Sequence, residues 1–194
     1  ERQRIQEDLR GLLDGDVRCD DIFVQMYAND ASIYEIRPLG VIRPRNVSDV
    51  VVAAQYAAEP NYSIHPRGGG SGLAGESLGS GLVLDFSHQM RRIVAIEEDR
   101  VRLQPGVVHA QLNRLLRPRG QVFGPDPANT AVSTMGSVMA LNSTGSHWLK
   151  YGTPRDLVES MQVVLADGTI IRVGYDQVNP VAWDETCPVS ASVR

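Results

Sequence analysis

The stretch Pro66-Arg67-Gly68-Gly69-Gly70-Ser71-Gly72-Leu73-Ala74-Gly75 decides how this chain is read. A segment so poor in side chains packs badly, but it can wrap consecutive backbone N–H groups around an anion. The segment upstream says where the loop sits. Gly40 to Pro44 reads as a short strand closed by proline, and Asn46 or Ser48 is placed to cap a helix. That helix would carry Val50, Val51, Ala54 and Ala57/Ala58 on one face. Tyr62 to His65 reads as the next strand. A strand-helix-strand unit predicts two neighbouring parallel strands, with the glycine loop leaving the carboxyl end of the second. Ligands favour that position, and a dinucleotide diphosphate is the expected anion. A ligand-free flexible turn is the alternative reading.

Gly70, Gly72 and Gly75 spell G-x-G-x-x-G, which in isolation suggests the fingerprint that opens a helix over a pyrophosphate. Here Gly79, Gly81 and the apolar run Leu82 to Asp85 follow instead, so a strand and not a helix is expected. A G-K-[ST] ending is also absent, which excludes a P-loop.

With 194 residues, 42% of them hydrophobic, the chain is large enough for one domain or two small lobes. A formal charge of −4 offers no basic field for nucleic acid or an anionic membrane. Cys19 and Cys187 stand far apart in no C-x-x-C pair, so neither a disulfide framework nor a metal site is expected, and a reducing compartment fits. No apolar run reaches the roughly 18 residues that would span a bilayer. The expected location is cytoplasmic, with a peripheral position at the inner face of the membrane left open. The chain lacks an initiating Met, its final twenty residues carry little pattern, and no closing element is evident from Val189 to Arg194. Both ends are therefore expected to be cut from something longer.

Elsewhere, Ile5, Leu9 and Leu12/Leu13 recur at helical spacing between Arg4 and Leu13. Strands are expected at 82–85, 93–96 and 100–104. A helix is expected from Val108 to Arg117, with Val108, Leu112, Leu115 and Leu116 on one face and Gly120 as its stop. A further helix begins near Ser133. The runs 161–166 and 169–173 flank Asp167-Gly168, a hairpin signal that makes the later half at least partly antiparallel. A second region of small residues, hydroxyls and amides follows Gly124-Pro125-Asp126-Pro127, at Ser133 to Ser137 and Ala140 to Gly145. Two such regions suggest two walls.

These motifs, in this order, resemble the flavoprotein family that includes vanillyl-alcohol oxidase, and within it the glycolate oxidase and D-lactate dehydrogenase subgroup. The resemblance spans roughly residues 31–174. It rests on Pro38, Val41 to Pro44, the P-R-G-G-G-[ST]-G loop and Gln104-Pro105-Gly106-Val107. It continues through Pro125-Asp126-Pro127, Ser133-Thr134-x-Gly136, Asn142, Lys150-Tyr151-Gly152 and Val164 to Gly168. It implies an α+β, two-lobed FAD-binding domain of PCMH type occupying residues 1–194. A parallel-strand lobe at about 31–97 would precede a more antiparallel one at about 98–174.

The resemblance also implies the site. Pro66, Arg67, Gly68, Gly69, Gly70, Ser71, Gly72, Leu73 and Ala74 would line the FAD diphosphate, mainly through backbone N–H groups. Arg67 is expected either to neutralise phosphate or to pair with a carboxylate of the fold. Pro105 and Gly106 would bring main chain to the cofactor, and Pro125, Asp126, Pro127, Ser133, Thr134, Gly136, Ser137, Ala140, Asn142 and Gly145 would form the facing wall. Asp126 would either bond FAD or fix its own turn. Some relatives attach flavin through a histidine where this chain has Ser71, so binding without that bond is implied. His65, His88, His109 and His147 read as surface or packing residues, with His147 the one to test. Relatives usually read G-G-N-I-A-T-N-A-G-G where this chain has Gly136-Ser137-Val138-Met139-Ala140-Leu141-Asn142-Ser143-Thr144-Gly145, a change bearing on contacts to the flavin ring.

The implied activity is hydride transfer from a 2-hydroxy acid to flavin N5. Electrons would pass to a quinone or iron-sulfur module outside the chain. A cap domain after Gly174, which this chain is too short to contain, would supply the substrate contacts, so this part alone is expected to be inactive. The alternatives are a nucleotide-binding fragment without turnover and a reductase of cell-wall precursor synthesis on the same scaffold. Gly69→Val is expected to abolish FAD retention by filling the cradle and by opposing a positive φ.

Overall fold

The computed structural model describes residues 1–174, 178–180 and 189–192, so Cys187 lies outside the described residues. The chain forms two compact units, one comprising Glu1–Gln89 with Val164–Ile170 and the other Met90–Val163 with Ile171–Arg194.

The first unit opens with helix α1 (Arg2–Arg10), whose Ile5 and Leu9 are fully buried while Leu12, beyond its end, is exposed. Strand β1 (Asp16–Arg18) and helix α2 (Asp21–Met26) follow, the latter capped by the Asp20 side chain accepting from the Phe23 amide. Strand β2 (Gly40–Arg43) leads into helix α3 (Val47–Ala58), which Asn46 caps by accepting the Asp49 amide at 2.9 Å. Asp49 in turn is buried, and its carboxylate accepts the amides of Asp14, Gly15 and Arg45 at 2.7–3.0 Å. The buried face of α3 is Ala53, Ala54 and Ala57 with Val47, whereas Val50 and Val51 are only half-buried. Small side chains let the helix lie close to the sheet.

Strands β3 (Ile64–Arg67) and β4 (Leu82–Asp85) complete a four-stranded sheet of order β1-β2-β4-β3. The expected adjacency of β2 and β3 is therefore corrected: β4 lies between them and pairs parallel with both, Gly40–Ile42 on one side and Ile64–Arg67 on the other. The reason is burial. Every residue of β4 is buried, as a central strand requires, whereas β3 is half-buried and suits an edge. The glycine loop therefore runs from the end of an edge strand to the start of the central one.

The second unit holds β5 (Ile93–Ile96), β6 (Arg100–Leu103), helix α4 (His109–Leu116) and a 3₁₀ turn at Arg117–Arg119 closed by Gly120 at φ 72°. Three short helices follow, α5 (Met135–Ala140), α6 (Trp148–Tyr151) and α7 (Pro154–Leu157). Strands β7 (Val158–Val164), β8 (Ile170–Gly174), β9 (Val178–Pro180) and β10 (Val189–Ser192) finish a six-stranded sheet of order β5-β6-β10-β7-β8-β9. The β7–β8 turn carries Gly168 at φ 85°. Residues 189–192, where no closing element was expected, form a strand antiparallel to both β6 and β7. Leu112, Leu116, Phe123, Met135 and Val138 pack with Val101, Leu103 and Val107 into the core of this unit. The inner face of α4 departs from expectation, because Leu115 is exposed and His109 and Asn113 are buried in the places expected for Val108 and Leu115.

Candidate functional site

In the first unit, the glycine loop leaves β3 with its start pinned. The Arg67 carbonyl accepts from the Phe86 amide at 2.9 Å. A trans peptide points its N–H opposite to its C=O, so the Gly68 N–H is directed away from Phe86. Gly70 adopts φ 62°, and its carbonyl accepts from the Ala31 amide at 3.0 Å, which turns the Ser71 N–H away from Ala31 in the same manner. Among the hydrogen bonds of the described residues, none takes the amide protons of Gly68, Gly69, Gly70, Ser71, Gly72 or Leu73. Six successive donors without a protein acceptor, on a half-exposed loop, are backbone groups available to an anion. No helix follows, and the chain reaches β4 at Leu82. The left-handed glycines are Gly70 and Gly75, not Gly69 as expected.

Arg67 is held by backbone carbonyls. Its Nη2 donates to the Asn29 carbonyl at 2.8 Å, its Nη1 reaches the Tyr27 carbonyl at 3.5 Å, and the guanidinium lies 5.2 Å from the Tyr27 ring centroid. It is tied to backbone carbonyls, with no carboxylate partner among the described ion pairs. The Tyr27 hydroxyl donates to Asp85 at 2.6 Å, and burial, then that carboxylate, push the Tyr27 pKa up.

In the second unit, the turn at Pro105–Gly106 and the entry to α5 are zipped together. Gly136 donates to the Pro105 carbonyl at 2.7 Å, Met135 to Val107 at 2.8 Å and His109 to Ser133 at 2.9 Å. A Cβ at Gly136 would lie 2.7 Å from that of Pro105, so only glycine permits this approach. Gly106 donates to Met90 at 2.8 Å, and the buried Gln104 exchanges bonds with Arg92. Ser133 and Thr134 are buried, with the Thr134 hydroxyl 3.0 Å from that of Ser137, while Ala140 is exposed.

A second cluster gathers around Asp126. Its amide donates to Thr144 at 3.1 Å, and its carboxylate accepts from the His147 amide at 3.0 Å and from Ser146 Oγ at 3.1 Å, with His147 Nδ1 at 2.5 Å. Burial on its own would raise the Asp126 pKa, but the bonds from His147 and Ser146 outweigh it and hold the carboxyl below its usual range. Gly145 faces Asp126 at φ 80°, with the Asp126 carbonyl where a Cβ would go. Of the two expectations for Asp126, the turn-fixing role is the one these bonds describe. Asn142, at φ 50°, ends α5 in the left-handed conformation asparagine tolerates, and its Oδ1 accepts from the Arg155 amide at 3.0 Å. Pro125 and Pro127 are buried.

His109 joins the two clusters, a role its isolated place in the sequence does not signal. It is 3% exposed, and its Nε2 donates to the Pro125 carbonyl at 2.7 Å while its amide holds Ser133. Burial lowers its pKa despite that carbonyl bond, leaving a neutral ring with Nδ1 buried and bare. Among the described residues, no group of His, Cys, Asp and Glu is arranged to hold a metal.

Residues 38–174 match the family model described as the FAD binding domain. The chain belongs to that family. Its cofactor is FAD, and the six unpaired amides of the glycine loop suit the diphosphate of that group. This FAD-binding domain is 38% identical over 164 residues to D-2-hydroxyglutarate dehydrogenase of Escherichia coli K12, covering 82% of the chain and 16% of the relative. It is 38% identical over 162 residues to the glycolate oxidase subunit GlcD of Bacillus subtilis, covering 81% and 34%. With D-lactate dehydrogenase of Archaeoglobus fulgidus it shares 38% over 138 residues, covering 69% and 30%. The domain thus spans about a third or less of the length of these relatives. Its fold is that of alkyldihydroxyacetonephosphate synthase, at TM-score 0.78 and 20% identity over 98% of this chain and 39% of that one. 6-Hydroxy-D-nicotine oxidase of Arthrobacter nicotinovorans gives 0.77 and 24% over 93% and 42%.

Proposed function

We propose that this domain holds FAD without a covalent bond in a dehydrogenase that oxidises a small 2-hydroxy acid of the D-2-hydroxyglutarate, D-lactate or glycolate type. The run of unpaired amides from Gly68 to Leu73 carries the cofactor part of this reading. The relatives' names carry the substrate class. When bound, FAD supplies a hydride acceptor at flavin N5.

The residues of the chain bind and orient. The amides of Gly68 to Leu73, with the Ser71 hydroxyl, would hold the diphosphate by donating hydrogen bonds to it, and Arg67 would act at one remove by holding the loop to Tyr27 and Asn29. In the second unit, the further cofactor contacts we propose are at Pro105, Gly106, Pro125, Asp126, Pro127, Ser133, Thr134, Gly136, Ser137, Ala140, Asn142 and Gly145. The groups that take the hydroxyl proton and grip the substrate carboxylate lie outside this chain, as does the quinone or iron-sulfur electron acceptor. We place the protein in the cytoplasm. No helix among the described residues is long and apolar enough to cross a membrane.

The test is reconstitution. FAD added to the purified domain should bind and show flavin absorption near roughly 450 nm. In the protein that carries this domain, that band should bleach with one of the three hydroxy acids and not with NADPH. Bleaching by NADPH alone would establish a reductase, and failure to take up FAD would sink the reading.

A further inference from the structure

We propose that Asp30 is a positioning residue for the diphosphate loop, acting from a strap that lies ahead of residue 38, where the family match begins. The inference rests on the reading that residues 68–73 receive the diphosphate. The strap runs from Ala28 to Ile36. It is closed by the Ile36 amide donating to the Ala28 carbonyl at 2.9 Å, by an antiparallel bridge between Asn29 and Glu35, and by Gln25 donating to Glu35 at 2.8 Å.

The strap grips the loop at its start, middle and end. At the start, Arg67 donates to Asn29. In the middle, Ala31 donates to the Gly70 carbonyl at 3.0 Å, the bond that sets the direction of the Ser71 N–H. At the end, buried Ser77 donates through Oγ to Asp30 Oδ2 at 2.9 Å, and the Tyr34 ring packs against Gly75. Asp30 uses its other oxygen to accept the Ser32 amide at 2.8 Å. One carboxylate therefore joins the bend of the strap to the far end of the loop, directly beside the Ala31 bond. Without it, the strap and the loop are free to separate at Ala31, and the Gly70–Ser71 peptide loses its fixed orientation. The donors would remain, but not aimed together.

The experiment compares wild type, Asp30→Ala, Asp30→Asn and Ser77→Ala for FAD affinity, amide hydrogen exchange without FAD and thermal unfolding. Asp30→Ala should weaken FAD binding about tenfold, the scale on which displaced supporting residues act. It should also remove exchange protection at Ala31 while leaving Leu84, in the central strand, protected. Asparagine can still accept one bond and meet Ser77, so Asp30→Asn should recover most of the affinity and the Ala31 protection. Ser77→Ala, which touches only the loop side, should repeat the alanine effect in weaker form and serves as the test variant if Asp30→Ala does not fold. Unchanged FAD affinity in Asp30→Ala, or in Ser77→Ala when that stands in, would overturn the proposal, as would lost affinity with Ala31 still protected. If wild type takes up no FAD, the cofactor reading fails. The exchange arm then decides the strap: protection lost with alanine and kept with asparagine sustains it, and protection kept in both sinks it.

Discussion

The carboxylate of Glu76 lies over the Cα of Gly72, in the space a Cβ there would occupy, and accepts the Ala74 amide at 3.1 Å. A negative group thus sits beside the unpaired donors of the loop. Glu76→Gln should bind FAD or free pyrophosphate about 3- to 10-fold more tightly at low ionic strength, with the gain shrinking in salt. Titration calorimetry at two salt concentrations measures this. Equal affinities of variant and wild type in both would mean that Glu76 swings clear.

Gly70 and Gly69 should respond differently to the same change. A side chain at Gly70 meets φ 62° and puts Cβ 2.5 Å from Arg67 Nη2. Gly70→Val should therefore cost stability, at least the 1–2 kcal/mol or so of a left-handed residue, and break the Arg67 clamp. Gly69→Val should lose FAD by filling the cradle with a smaller fall in melting temperature. Thermal unfolding beside FAD retention separates the two effects, and equal melting shifts would count against the distinction.

Cys19 and Gly40 should be coupled. The thiol of Cys19 is 2.6 Å from where a Gly40 Cβ would stand, and burial pushes its pKa up to about 11. Gly40→Ala should destabilise by about 1–3 kcal/mol through overpacking, and Cys19→Ala should relieve much of that loss in the double variant. At pH 8, native Cys19 should resist iodoacetamide and become labelled on unfolding, as read by peptide mass spectrometry.

Asp126 should give part of the acid limb of stability. Its folded pKa lies below its unfolded value of about 3.9, so the unfolded chain binds more protons between the two. The contribution is present above that unfolded value and lost as pH falls through the folded one. Asp126→Asn should flatten this limb in denaturant titrations below about pH 4. An unchanged limb would mean that His147 and Ser146 do not hold the carboxylate in solution.

What was legible in the sequence was what depends on local rules. Asn46 before an apolar helix, Gly120 after one, and Asp167-Gly168 between two β-rich runs each satisfy a neighbouring backbone, and each stands where expected. The glycine loop was legible as a loop because a segment with so few side chains cannot pack as a strand or helix. Strand order was not, since β4 reads as a strand in any order, and only burial on both faces puts it between β2 and β3. Nor were the supports of the site. His109 on α4 meets Pro125 across sixteen residues, and Arg67 meets Asn29 across thirty-eight. Such bonds use ordinary polar residues with no spacing of their own. The turn-fixing role of Asp126 was legible as one of two readings, whereas the helix-end role of Asn142 was not.

The membership of Val164–Ile170 in the first unit bears on how the protein is made and dissected. Gly168 sits with Gln55, its missing Cβ 2.6 Å from that residue's Cγ, although more than a hundred residues separate them. On a ribosome, the amino-terminal unit must therefore wait for residues 90–163 of the second unit to be synthesised before its last piece arrives. A cut anywhere between Gln89 and Val164 would release a stub missing that piece, so the amino-terminal unit is complete only in a fragment that runs through Ile170.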